Sequence, residues 1–128
     1  KADEIQLALT KLGELRQRAQ HVVVEGHRQF NPGWHLALDL RNMLAVSECV
    51  ARAALERTES RGGHTRDDYP TMDPDWRHVL LVCTQHTNGS VRVEGQEQVP
   101  MRADLSGLFE LDELKKYFTA DELPGGTD

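Results

Sequence analysis

The side chains best suited to catalysis or to ligand binding lie in one polar loop between positions 59 and 78. His64, Asp67 and Asp68 place an imidazole and two carboxylates within five positions, and His78 could add a fourth ligand. Zinc or iron is the metal that such a set of ligands would suit. Short strings of this kind arise easily by chance, so a loop whose charges pair locally is the favoured interpretation.

Covalent catalysis is a second chemistry that the loop invites. Ser60 lies four positions from His64, but no G-x-S-x-G turn surrounds it. Cys49 and Cys83 fall in a predicted helix and a predicted strand, where a small apolar role is expected. The sequence therefore gives little support for a nucleophile.

Anion binding is the third possibility, because Arg61 and Arg66 flank the pair Gly62-Gly63. Two glycines do not make the phosphate cradle of G-x-G-x-x-G or Walker sequences. Each arginine could grip a carboxylate with two hydrogen bonds, and pairing with Glu59, Asp67 or Asp68 is the expected outcome.

Composition narrows the classes of protein. The 128 residues are 38% hydrophobic and 28% charged, which is typical of one globular domain. Two cysteines are too few for a disulfide scaffold, which indicates a reducing cytoplasm. The longest apolar run has five residues, so we expect no direct membrane insertion. Residues 103–128 hold seven of the acidic residues and two of the basic ones, which argues against nucleic acid as a partner.

Hydrophobic spacing predicts two long helices, over residues 3–24 and 34–58, with Gly62-Gly63 ending the second. The second helix carries an apolar stripe wide enough to pack between other helices, with Glu48 among the residues outside it. The stripe consists of Leu36, Leu40, Met43, Leu44, Ser47, Val50, Ala51, Ala54 and Leu55.

A β-hairpin is predicted over residues 79–94, with Asn88-Gly89 as a two-residue type I′ turn. Residues 104–119 form a short amphipathic segment, followed by an acidic tail that frays near Gly125-Gly126. The expected fold is mainly α: an antiparallel, spectrin-like helical bundle with a charged loop, a hairpin and an extended C-terminal tail. The expected divisions are 1–78 for the bundle with its E-S-R-G-G-H loop, 79–102 for the hairpin extension, and 103–128 for the short helix and tail.

The order of several motifs resembles one known family. The helix L-R-N-M-L at 40–44 and the loop E-S-R-G-G-H-T-R-D-D-Y-P at 59–70 are similar to the C-terminal domain of succinate dehydrogenase and fumarate reductase flavoproteins. D-W-R-H at 75–78 resembles the segment N-W-L-x-H, and Val99-Pro100-Met101 fits the extension that follows. L-aspartate oxidases share the E-S-R-G-x-H string, but the hairpin and the segment 111–118 are more similar to the dehydrogenases.

The resemblance implies a parent enzyme that binds FAD, interconverts succinate and fumarate, and passes electrons to an iron–sulfur subunit. It implies a bacterial complex held by membrane anchor subunits at the cytoplasmic face of the cell membrane. Its catalytic and flavin-binding residues belong to preceding domains, so no catalytic, cofactor or metal residue is carried over to this chain. An independent binding module, or a metal site at His64, Asp67 and Asp68, stays open as an alternative.

The resemblance also indicates what the loop would do, which is to hydrogen-bond the FAD-binding domain of the same chain. The candidate contact residues are Arg61, His64, Arg66, Asp68, Tyr69 and His78.

Overall fold

The computed structural model describes residues 1–99, 101–118, 120 and 123, and the chain divides into two compact units, Lys1–Gln98 and Val99–Asp128. The fold is mainly helical with one two-stranded antiparallel sheet, which confirms the predicted class. The first unit contains helices α1 (Ala2–Ala19) and α2 (Pro32–Glu56), a 3-10 helix (Asp75–His78), and strands β1 (Val79–Gln85) and β2 (Val91–Glu97).

Helices α1 and α2 pack antiparallel. Near the end of α1, Arg16 forms an ion pair of 2.6 Å with Glu48 in the second half of α2. At the start of α1, Ala2 contacts the loop that follows α2. The sheet packs against α2, and the buried apolar side chains described in this unit are Leu44 of α2 and Val91 of β2.

Helix α1 ends at Ala19, five residues before the predicted end. The prediction counted Val23 in the helical stripe, but Val23 is strongly exposed. Three consecutive valines, Val22 to Val24, follow the helix, and β-branched side chains lose rotamer freedom against a preceding helical turn. This run makes continuation of the helix unfavourable.

Helix α2 begins two residues early and ends two residues early. Asn31 caps it by accepting a hydrogen bond from the Gly33 amide at 3.0 Å, and Pro32 occupies the first helical position, where proline is favoured. The prediction that Gly62-Gly63 ends α2 is wrong, because the helix stops at Glu56. The Arg66 side chain, in the following loop, donates hydrogen bonds to the last carbonyls of the helix.

The apolar stripe of α2 is only partly covered. Leu44 is buried, whereas Leu36, Met43 and Val50 are exposed together with Val46. Glu48, predicted to lie outside the packed face, is instead buried between Arg16 and Arg52. Its position was missed because periodicity assigns charged residues to solvent, although a paired carboxylate can be buried.

The hairpin forms with Val79 opposite Glu97 and Gln85 opposite Val91. The predicted two-residue turn is wrong. The Gly89 amide donates a hydrogen bond to the His86 carbonyl at 2.8 Å, and the His86 amide donates one to the Ser90 carbonyl at 2.9 Å. His86 and Ser90 therefore close a three-residue loop over residues 87–89. A type I′ turn requires a positive φ at both central residues. Gly89 has φ of +83° but Asn88 does not have a positive φ, so the turn is not type I′.

The second unit contains two single-turn helices, α3 (Ala103–Ser106) and α4 (Leu111–Leu114). They stand in place of the single short helix predicted in this region, because the chain turns between Gly107 and Glu110. Leu114 is buried in this unit. Pro100 and most of the predicted acidic tail, including Gly125-Gly126, lie outside the described residues. Among the residues described, no helix has both the length and the apolar character needed to cross a membrane.

Candidate functional site

Two charged side chains are buried in the loop that joins α2 to the 3-10 helix. Glu59 is 0% exposed and Arg66 is 2% exposed, which makes them the most deeply buried large side chains described. A buried charge is costly unless it is paired and hydrogen-bonded. The partners of these two residues therefore define the site, which we call the Glu59–Arg66 network.

Arg66 closes the C-terminal end of α2. Its Nη1 donates to the carbonyl oxygens of Ala54 at 2.7 Å, Leu55 at 3.0 Å and Arg57 at 3.2 Å. The last carbonyls of a helix have no partner within the helix, and they form the negative end of its dipole. A buried guanidinium supplies here both the hydrogen bonds and the positive charge that this helix end requires.

Asp68 forms an ion pair with Arg66 and also accepts a hydrogen bond from the start of α1. Arg66 donates from Nε to Oδ1 at 2.8 Å and from Nη2 to Oδ2 at 2.7 Å, a bidentate pair. Oδ2 also accepts a hydrogen bond from the Ala2 amide at 3.0 Å, at the positive end of α1. The hydrogen bond from Arg66 is the main cause that holds the pKa of Asp68 well below its usual range, and the Ala2 amide adds to it.

Glu59 anchors the first part of the loop. Arg61 donates from Nε and Nη2 to its two oxygens, each at 2.9 Å, and the Asp73 amide donates at 2.9 Å. Arg57 also pairs with this carboxylate. Burial by itself would raise the pKa of Glu59, but the hydrogen bonds from Arg61, the Asp73 amide and Arg57 outweigh it and lower the pKa to about 2. Glu59 is therefore ionised at neutral pH.

Arg57 extends the network to the sheet. Its Nη2 donates to the Val79 carbonyl at 2.8 Å, its Nη1 donates to the Trp76 carbonyl at 3.2 Å, and its guanidinium lies 5.0 Å from the centre of the Trp76 ring. The Trp76 indole N–H donates to Thr58 Oγ1 at 3.0 Å. The end of α2, the loop and the start of β1 are thereby joined.

Ser60 and His64, the pair weighed as nucleophile and base, each bond to the backbone of the loop. Ser60 Oγ donates to the Tyr69 carbonyl at 2.7 Å and accepts from the Arg66 amide at 2.8 Å. His64 Nε2 lies 3.2 Å from the Arg57 carbonyl. Both side chains hold the loop in shape. The two cysteines take apolar positions, with Cys83 Sγ 3.7 Å from the Cys49 carbonyl.

The structure does not assemble the alternative metal site. The Asp68 carboxylate is occupied by Arg66 and the Ala2 amide. In the part of the chain that is described, no group of three His, Cys, Asp or Glu side chains could hold a metal ion.

The six candidate contact residues differ in accessibility. Arg66 is buried and directs its donors to its own chain, whereas Arg61 and His64 are half-buried. Asp68, Tyr69 and His78 are exposed, and the Tyr69 ring lies 5.0 Å from the Arg66 guanidinium. A contact with another domain would therefore be made by the rim of the loop, with Arg66 acting beneath it.

Sequence reasoning missed Glu59 and Arg57 as central residues. The expectation that Arg61 and Arg66 pair with Glu59, Asp67 or Asp68 is confirmed, with Arg61 on Glu59 and Arg66 on Asp68. The burial of Glu59 and Arg66 was not expected. One signal was present in the sequence: E-S-R and R-D-D place opposite charges two positions apart on either side of a glycine pair. That spacing suits a folded loop better than a solvated one.

Comparison with known proteins identifies the class. Residues 1–110 match the family model described as the fumarate reductase flavoprotein C-term. The chain belongs to this family and is a C-terminal domain of a succinate dehydrogenase or fumarate reductase flavoprotein subunit.

Individual relatives agree with the family. The chain is 60% identical to a protein of the Mycobacterium smegmatis Sdh1 complex in the apo form, with a TM-score of 0.79, covering 97% of this chain and 22% of that one. It is 38% identical over 109 residues to the fumarate reductase flavoprotein subunit of Helicobacter pylori, covering 83% of this chain and 15% of the relative. An L-aspartate oxidase of Pseudomonas aeruginosa is 33% identical over 82 residues, covering 59% of this chain and 15% of the relative. The chain thus spans about a fifth or less of the proteins it matches.

Two of the cavities that the described residues form are lined mainly by apolar side chains. A groove of about 460 Å³ between α1 and α2 is lined by aliphatic side chains including Leu12, Leu15, Val46 and Val50, with Lys11 at its edge. A smaller pocket of about 320 Å³ in the second unit is lined largely by Met101, Phe109, Leu114, Tyr117 and Phe118.

Proposed function

We propose that this chain is the non-catalytic C-terminal domain of an enzyme that interconverts succinate and fumarate with FAD held by another domain. The carrying observation is the 60% identity over 97% of this chain to a protein of the mycobacterial Sdh1 complex. The parent enzyme would pass electrons to an iron–sulfur subunit and, through membrane anchor subunits, lie at the cytoplasmic face of the bacterial cell membrane. An L-aspartate oxidase parent is the less favoured reading, because the M. smegmatis match covers more of the chain at higher identity.

Within the subunit, the domain would act by packing against the FAD-binding domain. We infer that α1 and α2 belong to a spectrin-like bundle in the whole subunit, since α2 leaves Leu36, Met43 and Val50 exposed on one flank of its stripe. The loop rim, with Arg61, His64, Asp68, Tyr69 and His78, would face the FAD-binding domain. The buried Arg66 and Glu59 would fix the shape of that rim.

Flavin content of the whole flavoprotein subunit tests this role. Arg61→Glu and Tyr69→Ala should each lower the FAD bound per subunit, with the Tyr69 variant disturbing the Glu59–Arg66 network less. Arg92→Glu, a charge reversal at an exposed position of β2, is the matched control and should leave FAD content unchanged. Thermal melts should show that each variant is folded. Full FAD content and activity in both loop variants would reject the role.

A further inference from the structure

Phe30 is presented to solvent in a strained backbone conformation. Among the described residues it is the one non-glycine residue with positive φ, at +56°, and its side chain is fully exposed. A bulky residue in the left-handed region is unfavourable, and such strain persists only where the surrounding structure enforces it. Neither the strain nor the exposure of an aromatic ring favours the fold of this chain by itself.

The loop that carries Phe30 is held firmly on both sides. Asn31 donates from Nδ2 to the Glu25 carbonyl at 2.9 Å, and its Oδ1 accepts from the Gly33 amide at 3.0 Å. Gly26 adopts φ of +90°, which lets the chain turn beneath Asn31. Pro32 then fixes the first residue of α2. The side chain of Phe30 thus projects from a closed loop rather than from a frayed end.

The Phe30 ring does not pack against the first turn of α2. Phe30 directly precedes the helix cap, where an apolar residue often packs against the fourth helical residue. That residue is His35, and full exposure of Phe30 excludes such packing. Val22 and Val23 in the same connection are also exposed. The connection between α1 and α2 therefore exposes three apolar side chains, and the Phe30 ring is the most exposed of them.

We propose that Phe30 is an anchor that inserts into an apolar pocket on the remainder of the flavoprotein subunit. Aromatic side chains in apolar pockets often dominate the energetics of an interface, and a polar surround is usual. Here the exposed polar residues His27, Arg28 and Gln29 directly precede Phe30 in the chain.

The occupant follows from the length of the relatives. The chain covers 22% of the mycobacterial protein and 15% of the H. pylori subunit, so most of such a subunit lies outside it. A partner in the same polypeptide has a high effective concentration, so a small patch around one ring suffices for docking. The inference rests on the proposed function, because it needs a flavoprotein subunit to supply the pocket.

Radical footprinting of the whole subunit tests the contact. Phe30 should be modified at least fivefold more slowly in the native subunit than in the same subunit denatured in guanidinium. Tyr69, measured in the same spectra, reports separately on the loop rim. Protection of Tyr69 with Phe30 modified at the denatured rate overturns the anchor and leaves the proposed function standing. Protection of Phe30 that is lost on dilution assigns the contact to a second copy and also overturns it.

Substitution at Phe30 gives a test by the sign of the effect. Asparagine adopts positive φ more easily than phenylalanine, so Phe30→Asn should leave the Tm of the subunit unchanged or raise it if the ring is solvent-exposed. An anchor predicts a decrease in Tm of about 2 °C or more. Phe30→Leu should recover at least half of the loss, and Gln29→Asn is the control in the same loop. An unchanged or higher Tm for Phe30→Asn rejects the proposal.

Discussion

The Asp68 carboxylate accepts a hydrogen bond from the Ala2 amide at 3.0 Å across 66 positions of sequence. The same carboxylate is fixed by the Nε–Nη2 edge of the Arg66 guanidinium. Arg66 in turn binds the last carbonyls of α2. One ion pair thus joins the start of α1 to the end of α2, so the geometry of the helix pair depends on two loop residues.

Arg66→Lys should destabilise the protein strongly, because a single ammonium cannot replace the bidentate pair and the three carbonyl contacts together. We expect a loss of about 2–4 kcal/mol in the free energy of unfolding. Urea denaturation followed by circular dichroism measures it. The control is Arg92→Lys, whose ion pair with Glu94 is exposed and should change stability by less than about 0.5 kcal/mol. Equal effects of the two variants would contradict the structural role of Arg66.

Asp68→Asn should lower the Tm, whereas Asp67→Asn should leave it nearly unchanged. Asp68 bonds Arg66 and Ala2, while Asp67 is its exposed neighbour of the same charge and size. Amide exchange should also accelerate at Ala2 and its neighbours in the Asp68 variant, because the N-terminal end of α1 loses its charged acceptor. Unchanged exchange there would show that α1 does not depend on this contact.

The sequence predicted the two long helices and the hairpin because their apolar periodicity is strong. It did not predict the C-terminal end of α2, since Arg66 lies ten positions beyond Glu56 and no local rule links a helix end to a distant guanidinium. The same limit applies to the turn. Asn88-Gly89 satisfies the residue preference for type I′, and only the pairing of His86 with Ser90 decides for the longer loop.

The site was predicted in part for a related reason. Opposite charges at 59, 61, 66 and 68 correctly indicated ion pairs. Their burial could not be read from sequence, because it results from packing the loop against the end of α2 and the 3-10 helix. Phe30 gave no signal at all in the sequence, since its positive φ is imposed by Asn31 and Gly26 on either side.

Glu59 should make stability depend on acid pH. Its folded-state pKa of about 2 lies below the ordinary value of about 4.3. The ionised carboxylate therefore stabilises the native state fully at pH values above about 4.3. This contribution is lost as the pH falls from about 5 through 2. Glu59→Gln should cost about 3 kcal/mol at pH 7. The difference between wild type and variant should shrink as the pH falls toward 2, and a difference independent of pH would exclude this role for the carboxylate.

Two glycine-to-alanine substitutions should act with opposite signs. Gly89 has φ of +83° in the hairpin loop, so Gly89→Ala should destabilise by about 1 kcal/mol, although a β carbon there would meet no neighbour. Gly13 lies inside α1 with no atom within 4 Å of an added β carbon, so Gly13→Ala should stabilise by about 0.5–1 kcal/mol. Thermal melts measure the change in Tm of both variants. An increase in Tm for Gly89→Ala would contradict the observed turn.

Neighbouring residues on α2 separate the covered face from the uncovered one. Leu44 is 7% exposed and Met43 is 59% exposed. Leu44→Ala should cost about 2–5 kcal/mol, because it removes buried methyl groups and leaves a cavity. Met43→Ala should change stability by less than about 0.5 kcal/mol in this chain, because most of its side chain lies in solvent and little packing is lost. In the whole flavoprotein subunit the Met43 variant should cost more than it does here, since we expect the exposed face of α2 to be covered there. Equal small costs in both settings would show that this face stays open to solvent.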